Sequence, residues 1–120
     1  MNDKYLTVTA LTRYLKYKLD SDENLKNIFI KGEISNCKYH STGHIYFSIK
    51  DENSIINAIM FSTNAKNLSF IPNDGMKVLV CGRISVYEAS GRYQIYVDEM
   101  LEDGVGNLYI AFEKLKENLR

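Results

Sequence analysis

The run HIYFSIKD places His44, Tyr46, Ser48 and Lys50 at every second position, alternating with Ile45, Phe47 and Ile49. Such alternation marks a half-buried strand, so the four polar or aromatic side chains share one exposed face. In the next apolar run, IINAIMF, Ile56, Ala58 and Met60 read as inward, leaving Asn57, Ile59 and Phe61 on the other face. Rings in such a row give bases a flat surface to stack on, and its donors and cations suit phosphate. A single nucleic-acid strand needs both. Just before this strand, the segment NCKYHSTG holds Asn36, Lys38, Tyr39, His40 and Ser41, and Lys31 stands further upstream. Arg83 projects from a later strand, and Arg92 sits in a hairpin flanked by Tyr87 and Tyr93. Any one of these is an ordinary solvated side chain; the set carries the reading.

Other chemistry finds less support. His40 and His44 are four apart, but paired zinc ligands at that spacing work on a helix, whereas here they span a loop and a strand start with no third ligand. Ser41 has no placed acid or oxyanion donor, so a hydrogen-bonding loop is the better account. The acidic run DEMLED (Asp98, Glu99, Glu102, Asp103) reads as a solvated strand end, because a two-metal site gathers carboxylates from several elements. Cys37 and Cys81 form no CxxC pair and read as two reduced cysteines near strands. No cofactor is expected.

The elements that must position the row follow from periodicity. The 120 residues are 45% apolar and 25% charged, enough for one domain with its own core and too apolar for disorder. No run approaches the ~20 apolar residues of a membrane helix, and the N-terminus lacks a secretory apolar region, so no membrane partner and a cytoplasmic location are expected. Residues 7–19 set Val8, Leu11, Leu15 and Leu19 on one helical face, with Thr7 as N-cap. DSDENLKN reads as a loop. NIFIKGEIS is the first strand, with Gly32 at a bend or bulge. Residues 63–70 read as a short helix opened by Thr63, and IPNDG as a turn. MKVLVCGRISVYE, bent at Gly82, and RYQIYVDEM, with Tyr93, Ile95 and Val97 in step, form a hairpin through ASG. In the closing run GVGNLYIAFEKLKENLR, Leu108, Phe112, Leu115 and Leu119 line a helical face.

The resulting order is helix, three strands, short helix, two strands, helix. This is the layout of the OB-fold, a mainly β, five-stranded Greek-key barrel that holds oligonucleotides or oligosaccharides on its strand 2–3 face. The expected division is 1–26 for the N-terminal helix and loop, 27–103 for the barrel and 104–120 for the C-terminal helix. The formal net charge of zero conceals an uneven distribution: Lys4, Arg13, Lys16 and Lys18 in the first helix, and four carboxylates between 98 and 103. A neutral total therefore does not exclude nucleic acid, and it favours stacking over bulk electrostatics.

KGEISNCKYHSTGHIYFSIKDENSIINAIMF followed by DGMKVLVCGRISVYEASGRYQIYVDEM resembles the N-terminal domain of the exodeoxyribonuclease VII large-subunit family. The matching positions are Gly32, Glu33, Ile34, Ser35, Asn36, Gly43, His44, Tyr46, Phe47, Lys50, Asp51, Phe61, Gly75, Gly82, Arg83, Tyr87 and Glu88. Cys37, Cys81 and Ala10 depart from the family pattern. The resemblance implies an OB-fold of the tRNA-anticodon type that binds single-stranded DNA. It also implies a catalytic domain and a coiled-coil region holding small subunits, both beyond this chain. The whole enzyme would hydrolyse single-stranded DNA from either end to oligonucleotides, without a divalent metal; no catalytic motif of the family lies in these residues. Two alternatives stay open: an interaction module that docks on the catalytic domain or a neighbouring copy, and a small nuclease in its own right. Self-association through the final helix also stays open.

Overall fold

In the computed structural model, residues 4–104 are described. The expected helix over 105–120, with Leu108, Phe112, Leu115 and Leu119, lies outside them. Helix α1 spans Val8–Asp20, and its N-cap Thr7 accepts a hydrogen bond from the Ala10 N–H at 3.0 Å. A single 3-10 turn, Glu23–Leu25, lies within the predicted loop, because the Asp22 carboxylate accepts from the Asn24 N–H at 2.8 Å and closes it. Strands β1 (Ile28–Tyr39), β2 (Ile45–Lys50), β3 (Ile55–Met60), β4 (Lys77–Tyr87) and β5 (Arg92–Glu102) close a barrel in the order β1-β2-β3-β5-β4, with α2 (Ser62–Ala65) between β3 and β4. Among the described strands, only the β3–β5 pair is parallel. Ile34, Phe47, Ala58, Met60, Val78, Val80, Ile95 and Val97 fill the interior, as the period of two requires.

β1 is longer than its sequence pattern. Its first half pairs with β4 and its second half with β2, so Asn36–Tyr39, expected in a loop, continue the strand. A bulge between Ser35 and Lys38, with Asn36 at φ 51°, rotates the chain and breaks the alternation that would have revealed it. The bends expected at Gly32 and Gly82 are places of close approach. A Cβ on Gly82 would lie 2.1 Å from the Tyr96 carbonyl oxygen, and one on Gly32 2.5 Å from Ile49 Cγ2. The β4–β5 register also slips between Cys81 and Gly82, leaving Asp98 as the extra residue. Tyr93, predicted in step with Ile95 and Val97, is 58% exposed at the hairpin end of β5.

Helix α1 attaches differently from its apolar stripe. Leu19 packs on the core, but Val8, Leu11 and Leu15 are 81%, 46% and 48% exposed. The helix is instead attached through a polar contact: Ser85 Oγ on β4 donates to Asp20 Oδ1 at 2.5 Å, and Lys16 Nζ, one turn back in the same helix, donates to Asp20 Oδ2 at 2.7 Å and steadies that carboxylate. Burial pushes the Asp20 carboxyl up, but the hydrogen bonds from Lys16 and Ser85 and the charges of Lys16 and Arg83 outweigh it and hold the group below its ordinary 3.8. The clasp therefore stabilises the fold above that pH and is lost as the pH falls through the folded value. Acid titration followed by circular dichroism should show α1 loosening below about pH 4, and Asp20→Asn should abolish that step.

Candidate nucleic-acid interface

Register places side chains from four strands in two transverse rows on the outer face of the barrel. Ser48 on β2 faces Asn57 on β3, Asn57 faces Gln94 on β5, and Gln94 faces Ser85 on β4. One step along, Tyr46 faces Ile59, Ile59 faces Tyr96, and Tyr96 faces Arg83. The first row is hydroxyls and amides. The second is aromatic, with a guanidinium at its end and Ile59, only 7% exposed, as its apolar floor.

The β1–β2 turn and α2 frame one end of this face. His40 Nδ1 lies 2.9 Å from Thr42 Oγ1, and the ring meets Tyr46 edge-on with centroids 6.2 Å apart. His44 Nδ1 accepts the Ser62 N–H at 2.9 Å, which leaves Nε2 to carry the proton of the neutral ring. That bond also explains why α2 starts one residue before the predicted Thr63. The free donor of its first turn is met by an imidazole from the residue just before β2, and its N-cap is Phe61, without a side-chain cap. The His44 ring stands on edge to Phe61 at 5.2 Å; Phe61 stacks on Tyr96 at 5.8 Å and 24°. Arg83 closes the series, its guanidinium carbon 4.4 Å from the Tyr96 centroid. Gln94 Nε2 donates to the Tyr96 hydroxyl at 2.8 Å. His44 just before β2, Phe61 just after β3, Tyr96 on β5 and Arg83 on β4 thus form one continuous series.

Asn36, Lys38, Tyr46, Ser48 and Asn57 line one open groove of about 500 Å³ with Phe47, Ala58 and Gln94. Behind it, the Cys37 N–H donates to Asp74 Oδ1 at 2.8 Å and the Tyr39 hydroxyl donates to the Pro72 carbonyl, pinning the loop before β4 to β1. Burial, then the Asp74 charge, pushes the Cys37 thiol up, away from nucleophilic chemistry. Ser41 sits exposed in the β1–β2 turn.

Four predicted residues stand apart. Lys31 and Lys50 line a second groove of about 590 Å³, with Glu33, Asp51, Glu52, Lys77 and Asp103, where Lys50 lies 3.9 Å from Glu33. Here Asp51 accepts the N–H groups of Asn53 and Ser54, both at 2.9 Å; these bonds hold its carboxyl below the ordinary range and build the β2–β3 turn. Tyr87 and Arg92 face each other at the β4–β5 hairpin. Conversely, Gln94 and Tyr96 belong to the rows although the sequence reading did not select them. Their alternation with Ile95 and Val97 was visible; the β3–β5 pairing that brings them beside Asn57 and Ile59 was not.

Residues 6–101 match the family of OB-fold nucleic acid binding domains. The chain belongs to that family. This OB-fold domain is also 61% identical over 119 residues to the exodeoxyribonuclease 7 large subunit of Bacillus cytotoxicus, and 59% identical over 119 residues to that of Bacillus mycoides. Each alignment covers 99% of this chain and 26% of the relative, so the chain spans about a quarter of their length. Among solved structures it is similar to a replication protein A heterotrimer bound to ssDNA, with TM-score 0.54 and 16% identity over 77% of this chain and 68% of that one. It is also similar to asparaginyl-tRNA synthetase from Pyrococcus horikoshii, with TM-score 0.54 and 18% identity over 76% of this chain and 22% of that one. At these identities the likeness is one of fold.

Proposed function

We propose that this domain captures single-stranded DNA on the face formed by β2, β3 and β5, as the substrate-holding part of an exodeoxyribonuclease VII large subunit. The observation that carries the reading is the pairing of an aromatic row with an amide row in register. Unstacked bases lie against Tyr46 and Phe61, and their edges meet Ser48, Asn57 and Gln94. Lys38, His40 and Arg83 approach the phosphates from the two ends. Duplex DNA hides its base faces and edges, so the face selects single strands. In the whole protein, a cytoplasmic enzyme hydrolysing single-stranded DNA from both ends, the captured strand passes to a catalytic domain that works with the small subunit. The 61% identity to a protein of that name supports this part.

Anisotropy with labelled single-stranded and duplex DNA across a salt series tests the capture. The expected result is a weak complex, micromolar or weaker, with the single strand only, which loosens as salt rises through counterion release. Equal binding to both forms, or none to either, rejects it. A second reading, an interaction module, is favoured by the exposed Val8, Leu11 and Leu15 on α1. It requires association visible by light scattering and no DNA affinity, so the same samples separate the two.

A further inference from the structure

We propose that Asn57 and Gln94 form a base-edge reader that accepts any base because both amides can turn over; the proposal rests on the capture of single-stranded DNA argued above. The two residues face each other across the parallel β3–β5 pair, about 4.8 Å apart in the hydrogen-bonding direction, and both line the groove beside Tyr46. Each amide is held on one side by a hydroxyl. Ser48 Oγ donates to Asn57 Oδ1 at 3.3 Å, and the Tyr96 hydroxyl accepts from Gln94 Nε2 at 2.8 Å. These bonds leave the Asn57 amino group and the Gln94 carbonyl oxygen to the groove, a donor beside an acceptor.

A hydroxyl donates or accepts as needed, so turning either amide through half a revolution keeps its bond to Ser48 or Tyr96 and reverses what it shows the groove. Cytosine presents an amino donor beside the N3 acceptor, and thymine a carbonyl acceptor beside the N3 donor. Adenine and guanine differ in the same sense. An amide pair with reversible order meets all four, where a carboxylate or an ammonium would meet only some. The Watson–Crick edges it uses are occupied in a duplex, so this contact adds to the preference for single strands that stacking provides.

Gln94→Glu and Asn57→Asp each fix one position as an acceptor. Anisotropy with oligo-dC and oligo-dT of about 15 nucleotides, within the range of site sizes for one OB-fold, reads the result. These pyrimidines have nearly the same shape and differ in the donors and acceptors of their edges. The wild-type chain should bind them within about threefold of each other, and at least one variant should shift the dC-to-dT affinity ratio about tenfold. Asn53→Asp adds the same charge at the β2–β3 turn and should leave the ratio unchanged. Because the ratio is taken on one preparation, a partly unfolded variant scales both affinities alike. Ratios unmoved in both variants, or moved equally in the control, overturn the amide pair while leaving the capture reading intact. A wild-type chain that binds neither oligonucleotide overturns both.

Discussion

Gly82→Ala should lower the melting temperature of the domain by on the order of 15 °C, measured by circular dichroism or calorimetry. The added methyl would sit 2.1 Å from the Tyr96 carbonyl oxygen and 3.1 Å from Val97 Cα. Both are backbone atoms of the neighbouring strand, so no side chain can swing aside. Overpacking of this kind costs about 3 kcal/mol, and each kcal/mol shifts the midpoint of a domain near this size by roughly 4–8 °C. Gly75→Ala provides the contrast: its φ of +88° imposes a backbone cost, but nothing lies within 4 Å of the new methyl. It should cost only about 1 kcal/mol. A Gly82→Ala protein that melts within a few degrees of wild type would mean that β4 and β5 do not approach this closely.

Phe61→Ala should weaken single-stranded DNA binding about tenfold or more while moving the melting temperature by only a few degrees. Stacking of one base on an aromatic ring is worth about 1–3 kcal/mol, and truncation removes that surface. Phe61 is 37% exposed and packs on Tyr96 and His44 at the outside of the barrel, apart from the interior residues whose burial sets stability. Its loss also removes a stacking partner from Tyr96, the ring against which Arg83 lies. If Arg83 meets phosphate as proposed, the salt dependence of the variant should flatten slightly as that contact loosens. A large fall in melting temperature with unchanged affinity would assign the ring to the fold instead.

Local periodicity made much of this legible. The β2 alternation put Tyr46 outward and Phe47 and Ile49 inward, as found, because both neighbours of β2 are reached by local connections; Ser48, expected on the exposed face, is only 7% exposed, its hydroxyl donating to Asn57. The β1 continuation through Asn36–Tyr39 was hidden because a bulge erases the period of two. The position of α1 was hidden for another reason. Its most apolar stripe predicts burial of Val8, Leu11 and Leu15, but the helix is held through the hydrogen bond from Ser85 to Asp20, and pattern reading gives no weight to a polar clasp. Gln94 and Tyr96 were legible as outward residues, yet membership of the site depends on which strand lies beside β5. That is a property of barrel closure, with no local signal in RYQIYV.

The parallel pairing of β3 with β5 links the face to the folding equilibrium itself. Asn57 and Ile59 meet Gln94 and Tyr96 only when β5 has docked on β3, so no partly folded chain lacking that pair presents the two rows together. A strand of DNA that recognises them therefore binds chains in which this pair has formed and not those in which it is open. It should act as a thermodynamic latch on that seam, adding about 2.7 kcal/mol of apparent stability at a free concentration one hundred times its Kd.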